Sequence, residues 1–223
     1  MKTRTIAAVM AVALAVIFCL YPTSCSSGRP TVASSDELKQ FITYDFGTTL
    51  VSTLLFEGRP FEEYYLLEPI QINTVHKIKH PNIIIPVANQ NGEIQYTYVI
   101  GTMDEYVSSM SSQNTPLWNE VLKYDSENVI LYQDEHKVYA QVQDKIFLQE
   151  HDGSVKILSE DQVAELKKKF KGVTLVSTSF RKSEELTAAA VESYRNARSY
   201  NKNVLSGNIT IDKKPNSRYN IRC

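Results

Sequence analysis

Very little in this chain is available for covalent bracing or covalent chemistry. Cysteine occurs three times in 223 residues, at Cys19, Cys25 and Cys223. The first lies in an apolar leader and the second at its cleavage region, so no internal disulfide framework can brace an exported domain built this way. Glycine is scarce at 8 residues and forms neither a Gly-rich phosphate loop nor a Gly-x-Ser-x-Gly elbow, which removes the signatures of P-loop nucleotide binding and of an α/β-hydrolase nucleophile. Charge of neither sign prevails, with 24 Lys and Arg against 25 Asp and Glu. Without Lys2 and Arg4 of the leader the balance is 22 to 25, a net of −3, which gives no electrostatic footprint for nucleic acid. The apolar run from Ile6 to Leu20 falls short of the ~20 residues a helix needs to cross the hydrocarbon core.

That run belongs to a secretion signal. Lys2 and Arg4 supply the positive start, Ile6 to Leu20 the apolar centre, and Tyr21-Pro22-Thr23-Ser24 the break. Residues 1–24 are therefore expected to be removed on export. Cys25, after Thr23 and Ser24 and before Ser26-Ser27-Gly28, looks like the lipid-modified cysteine of a bacterial lipoprotein, although Pro22 stands where such signals usually carry Leu. Lipidation at Cys25, with a membrane tether, and ordinary cleavage between Ser24 and Ala33 both stay open. Residues 25–33 read as a polar linker. About 190 residues then remain, enough to bury a hydrophobic core in one domain.

The body reads as α+β: an antiparallel β half-barrel or meander with flanking helices over 34–182, then a helix and an extended C-terminal tail over 183–223. Ser34-Ser35-Asp36-Glu37 is a capping box followed by Leu38, Phe41, Ile42 and Phe46 at helical spacing. Gly47 with Thr48-Thr49 weakens that helix, which is expected to end between Phe46 and Phe56. Tyr64 to Ile72 is β-prone but carries Pro69, implying an edge or a bend. Ile83-Ile84-Ile85-Pro86-Val87, the turn Asn89-Gln90-Asn91-Gly92, and Glu93 to Ile100 read as a hairpin, with Pro86 implying a bulge or an edge. Tyr106 to Met110 is a further strand candidate, and Thr115-Pro116 opens a short helix with Thr115 as cap.

Strand grammar returns at Asn128–Gln133, Lys137–Val142, Lys145–Gln149 and Ser154–Leu158, a meander with one packed and one wetter face. Ser159-Glu160-Asp161-Gln162 is a second capping box, launching a helix through Phe170 that Gly172 closes. Val173 to Phe180 reads as a last strand. Ser183 starts a third helix through Tyr194, and Asn196 to Pro215 is polar and pattern-free, as an extended tail would be.

Candidate chemistry is thin. His76 and His80 are four apart, the spacing of zinc ligands on a helix, but Pro81 and flanking apolar strands make the segment a polar loop. His136 and His151 sit at turns. Glu62-Glu63, Asp104-Glu105 and Glu184-Glu185 are neighbours in sequence, and neighbours on one element point different ways. No catalytic residue, metal ligand or cofactor site is predicted. Thirteen tyrosines are the richest resource: Tyr96, Tyr98, Tyr132 and Tyr139 on strands either anchor a protein interface or fill the core and rim of the sheet.

Several segments together resemble a known family. They are Leu66-Leu67-Glu68-Pro69-Ile70-Gln71-Ile72, Ile84-Ile85-Pro86-Val87, Gly92-Glu93-Ile94-Gln95-Tyr96-Thr97, Val129-Ile130-Leu131-Tyr132, Lys137-Val138-Tyr139 and Lys145-Ile146-Phe147. They resemble the propeptides of staphopain-type secreted cysteine proteases, and Ser217-Arg218-Tyr219-Asn220-Ile221-Arg222 looks like the segment that opens the mature papain-like enzyme. The departures are that Leu67 stands for the family's glycine, and that Cys223 lacks the glutamine and Trp context of the catalytic cysteine. The resemblance implies a half-barrel β domain that covers a papain-like active-site cleft. The expected function is then an exported propeptide-like domain that inhibits or chaperones a papain-like cysteine protease. Its expected partner-binding residues are Tyr96, Tyr98, Tyr139, Tyr219 and Ile221. The alternative is a surface lipoprotein serving as a peptide- or glycan-binding or envelope-assembly module.

Overall fold

The computed structural model describes residues 35–75, 82–101, 107–134 and 137–205, with the side chains of 201–205 excepted. All of them belong to one compact unit, 30–211. The architecture is α+β, and no closed barrel is found among the described residues. In chain order come helix α1 (Ser35–Glu57), strands β1 (Tyr64–Leu66), β2 (Ile72–Thr74), β3 (Ile83–Asn89), β4 (Ile94–Gly101) and β5 (Val107–Ser111), and helix α2 (Thr115–Leu122). Strands β6 (Val129–Asp134), β7 (Lys137–Val142), β8 (Lys145–Gln149) and β9 (Val155–Ile157) follow, then α3 (Glu160–Lys169) and α4 (Glu184–Leu205).

Two open sheets form, one in the order β1-β3-β4-β5 and the other in the order β2-β6-β7-β8-β9. The first is antiparallel throughout, while the second opens with a parallel pair, β2 on β6. Helices α1 and α4 cover one face of the first sheet, where Ile42, Phe46, Leu50 and Leu54 meet Leu66, Ile85, Tyr96, Tyr98 and Ile100. Its other face contributes Ala88 and Ile94 to a core shared with α2 (Leu117, Trp118, Val121) and the second sheet (Val129, Leu131, Ala140, Phe147). The far face of the second sheet packs Tyr132, Tyr139, Ile146 and Leu148 under Leu166 and Phe170 at α3.

Both faces of both sheets are thus covered, which is why the β3 run Ile83 to Val87 is apolar without alternation. The register shifts at Val87/Ala88, which pair with Tyr96 and Ile94, so Gln95 is the extra residue of β4 and Ile94 and Tyr96, two apart, enter different cores. The backbone groups of Ile94 are met by the amide of Asn119, which accepts from its N–H and donates to its carbonyl, both at 2.8 Å. Pro86 lies inside the sheet rather than at its edge, with its backbone turned to the β1 side, where its carbonyl accepts from Leu67, whereas the register shift lies on the β4 side.

Helix α1 runs past Gly47 to Glu57 because Gly47 is where α4 crosses it. The helices are parallel and in step, with Lys39 paired to Glu185 and, eight residues on, the Gly47 N–H donating to Ser193 Oγ at 2.8 Å. A Cβ at Gly47 would lie 2.2 Å from the Ser193 carbonyl oxygen, nearer than atoms can approach.

Three expectations are corrected. Helix α4 does not stop at Tyr194 but continues to Leu205, because Leu186, Ala189, Ala190 and Tyr194 dock it on α1 and the first sheet. Residues 183–205 therefore belong to the β body, and Asn196 to Leu205 is helix rather than extended tail. Val173 to Phe180 is not a strand but an extended segment with one bridge, Thr178 to Val129. The buried Asn73 replaces ladder pairing there: its amide donates to the Leu131 and Val176 carbonyls at 2.9 Å each and accepts from the Val176 N–H at 2.9 Å. Thr115 is the first residue of α2, not its cap; Asn114 holds the cap position without a side-chain bond. The second capping box forms as read, with Ser159 and Gln162 bonded reciprocally.

Two substitutions test this account. Gly47→Ala is expected to lower stability by roughly 3 kcal/mol, the upper end of overpacking costs, read as a lower urea midpoint at unchanged slope. In the two-residue turn between Val142 and Lys145, Gln143 sits at φ 55°. Gln143→Gly there is expected to raise stability by about 0.5–1 kcal/mol, measured as a higher Tm.

Candidate functional site

Three of the residues expected at a partner interface, Tyr96, Tyr98 and Tyr139, are buried in the folded chain instead. Tyr96 and Tyr98 have 0% exposure, and Tyr139 has 8%. Alternation along β4 puts Tyr96, Tyr98 and Ile100 on one face, and α1 with α4 covers that face. Tyr139 lies on the far face of the second sheet among the side chains that α3 covers. Tyr219, Ile221 and Cys25 lie outside the described residues, as do His76, His80 and His136. His151 is exposed at a turn, and Glu62, Glu63, Glu184 and Glu185 are exposed. Among the described residues, no group of three or more His, Cys, Asp or Glu side chains could hold a metal ion.

Tyr98 and Tyr96 instead form two carboxylate networks that support the first sheet. Tyr98 donates to Asp45 Oδ2 at 2.6 Å, Thr49 donates to the same oxygen at 3.0 Å, and Ser108 of β5 donates to it as well. Tyr96 donates to Glu57 Oε2 at 2.6 Å and accepts from Arg59, whose other nitrogen donates to Gln95 at 2.8 Å. Burial pushes the Tyr98 hydroxyl above the ordinary tyrosine range, and the charge of Asp45 adds to that. Burial does the same to Tyr96, helped by its bond to Glu57. Burial also raises Tyr64, Tyr132 and Tyr139, and lifts Tyr194 to about 12.

What the Asp45 network positions is β5. This strand pairs with β4 from Gly101↔Val107 to Thr97↔Ser111 and ends the sheet order. Ile84 accepts from Ile70 on the side of β3 away from β4, so Ile85, Tyr98 and then Val99 and Ser109 face inward in turn. The N–H and C=O groups of Ser108 and Met110 therefore point away from the sheet. Ser108 is fixed through Asp45 and Thr49 to α1, and Met110 packs against the core beneath the helices. Val107 is 68% exposed. The result is a short, rigidly mounted edge with main-chain donors and acceptors turned outward.

Sequence reading missed Asp45, Ser108 and Met110 as members of one site. The available signal was Asp45 itself, a carboxylate beside the buried Phe46 and Gly47 in an amphipathic helix. Its partners are 53 and 63 residues away in sequence, beyond any local pattern. No protein-family model matches the chain, and comparison with curated proteins and with solved structures returns no match.

The tyrosine networks imply an alkaline limit. Each raised hydroxyl is held neutral in the folded state, above the ~10 of an unfolded tyrosine. Their contribution is complete below pH ~10 and is lost as the pH rises toward the folded values. Urea unfolding at rising pH is expected to show stability falling from about pH 10 upward, with tyrosinate absorbance from these residues appearing together with unfolding rather than before it.

Proposed function

We propose that this chain is an exported, non-catalytic domain that docks on a papain-like cysteine protease, inhibiting or chaperoning it by pairing β5 with an extended segment beside the active-site cleft. Two kinds of observation support the reading. The segments that resemble staphopain-type propeptides fall largely on the strands that build the scaffold, from β1 through β8.

The observation that carries the choice of surface is the edge itself. Val107-Ser108-Ser109-Met110-Ser111 contains no charge and no proline, the usual guards that keep an edge strand from pairing with another chain. An unguarded edge held rigid by Asp45 suits strand addition, in which main-chain bonds supply affinity and alternate side chains supply selectivity. The docking surface is thus a backbone edge rather than a tyrosine face.

The test is inhibition of papain-like proteases secreted by the producing organism, measured with a fluorogenic substrate and the purified chain. Inhibition at submicromolar concentration is expected for at least one such enzyme. Met110→Pro removes one outward N–H, whereas Met110→Ala trims the side chain and leaves that donor. The proline variant is expected to inhibit about two- to tenfold less well than the alanine variant, the worth of one hydrogen bond of about 0.5–1.5 kcal/mol. Absence of inhibition across that set of enzymes, or equal inhibition by the two variants, would refute the proposal.

A further inference from the structure

At the opposite edge of the first sheet a groove of about 630 Å³ opens between β1 and α4. This is within the usual range for ligand sites, roughly 300–1,000 Å³. Its floor is aromatic and aliphatic, formed by Tyr64, Tyr65, Tyr194 and Val191. Three cations, Lys182, Arg195 and Arg198, line it against one carboxylate, Glu63.

The charged side chains that line this groove are mostly cationic, and the two tyrosine hydroxyls beneath it are enclosed. Tyr64 and Tyr194 are 5% and 8% exposed, and neither buried hydroxyl has a hydrogen-bond partner. A buried hydroxyl left unpaired costs roughly 1–3 kcal/mol. Glu63 already accepts from Gln90 at 2.6 Å, and Lys182 is paired with Glu184 at 3.0 Å. Arg195 and Arg198, three apart on α4 and so on one face, have no carboxylate within ion-pair reach among the described residues; Arg198 lies over the Phe61 ring at 5.6 Å. Two exposed guanidinium groups without a carboxylate partner, lining an apolar groove, call for an acceptor-rich, negatively charged occupant.

The main chain narrows the class. Leu67 donates inward to Pro86 at 3.0 Å, so Leu66 and Tyr64 turn their backbone groups outward. Those of Leu66 are taken by Thr187 Oγ1 at 3.1 Å and by the Ser183 N–H at 3.0 Å. Those of Tyr64 turn toward the groove, a donor and acceptor placed as one rung of a strand ladder.

We propose that this groove binds an extended acidic peptide segment, one residue of which pairs with the Tyr64 backbone while a neighbouring carboxylate lies between Arg195 and Arg198. An apolar side chain beside that carboxylate rests on the Tyr65 and Val191 surfaces. This site is independent of the β5 edge and stands or falls without it.

The probe is a fluorescein-labelled peptide of alternating Leu and Glu, titrated into the full chain by fluorescence anisotropy against the same peptide with Lys in place of Glu. The Leu/Glu peptide is expected to bind in the micromolar range and the Lys version not at all. The doubly charge-reversed variant Arg195→Glu/Arg198→Glu alters two exposed side chains and is expected to keep its Tm while losing tenfold or more in affinity, on the order of the two charge-assisted bonds it removes. Tyr194→Phe separates recognition from packing. It is expected to raise the Tm of the free chain by removing an unpaired hydroxyl, and to leave the affinity for the Leu/Glu peptide unchanged because that hydroxyl is enclosed by the core. Equal binding of both peptides, unchanged affinity in the charge-reversed variant, or binding of decanoate without binding of either peptide would each overturn the proposal.

Discussion

The close approach of α1 and α4 at Gly47 decides what the first sheet can be used for. With the Gly47 N–H 2.8 Å from Ser193 Oγ and no room for a Cβ, the two helices lie together as a continuous lid. Ala189 and Ala190 extend the small-residue contact on α4. A sheet face under such a lid is dry, so its tyrosines become core residues, and Tyr96 and Tyr98 tie their hydroxyls to Glu57 and Asp45 of the lid. Phe46 meets the Tyr98 ring edge-on at 5.3 Å, a geometry aromatic pairs favour. Had a larger residue stood at position 47, the helices would have parted and the Tyr96 and Tyr98 face would have opened.

Three buried or half-buried polar side chains do work that the backbone ladder would otherwise do. Asp45 collects three hydroxyl donors and joins α1, β4 and β5. Asn73 makes three bonds, one to β6 and two to the segment before Phe180, and so ties that segment to the second sheet. Asn119 answers both backbone groups of Ile94 beside the bulge. In each case the group is satisfied more than once, which is the condition under which a buried polar side chain specifies structure rather than costing stability.

How much of this was legible in the sequence follows the range of the interactions involved. The hairpin at Asn89 to Gly92, where Asn89 Oδ1 accepts from the Asn91 and Glu93 N–H groups, and the β6 to β9 meander are local, and turn chemistry marked both. The Ser159 capping box is local too. The length of α4 was not legible, because residues 195–205 have little apolar periodicity of their own and are carried by the docking of the preceding turns. Val173 to Phe180 has strand composition but meets a side chain instead of a strand. The burial of Tyr96 and Tyr98 depended on which faces were covered, and no pattern within β4 contains that information. Composition left the strand tyrosines open between interface and core, and geometry puts Tyr96, Tyr98, Tyr132 and Tyr139 in the core.

The four sheet edges are treated unequally, and that inequality is the strongest functional signal in the fold. The β2 edge is three residues long, with the Asn73 side chain bonded to the chain at Val176. The β9 edge is three residues long, carries Lys156, and that lysine is held by Glu150; shortness and a charge are standard protections. The β1 edge is half closed, by Thr187 and Ser183 on Leu66, and its open half meets a cationic groove. Among the described residues β5 is the longest of the four edge strands, and it carries neither charge nor proline. An exposed edge is an aggregation hazard that chains tend to remove, and here a single lysine in place of Ser109 or Ser111 would have supplied a guard. Retaining a neutral edge while fixing it firmly through Asp45, Thr49 and Tyr98 is economical if the edge is normally occupied by a partner strand, and wasteful otherwise.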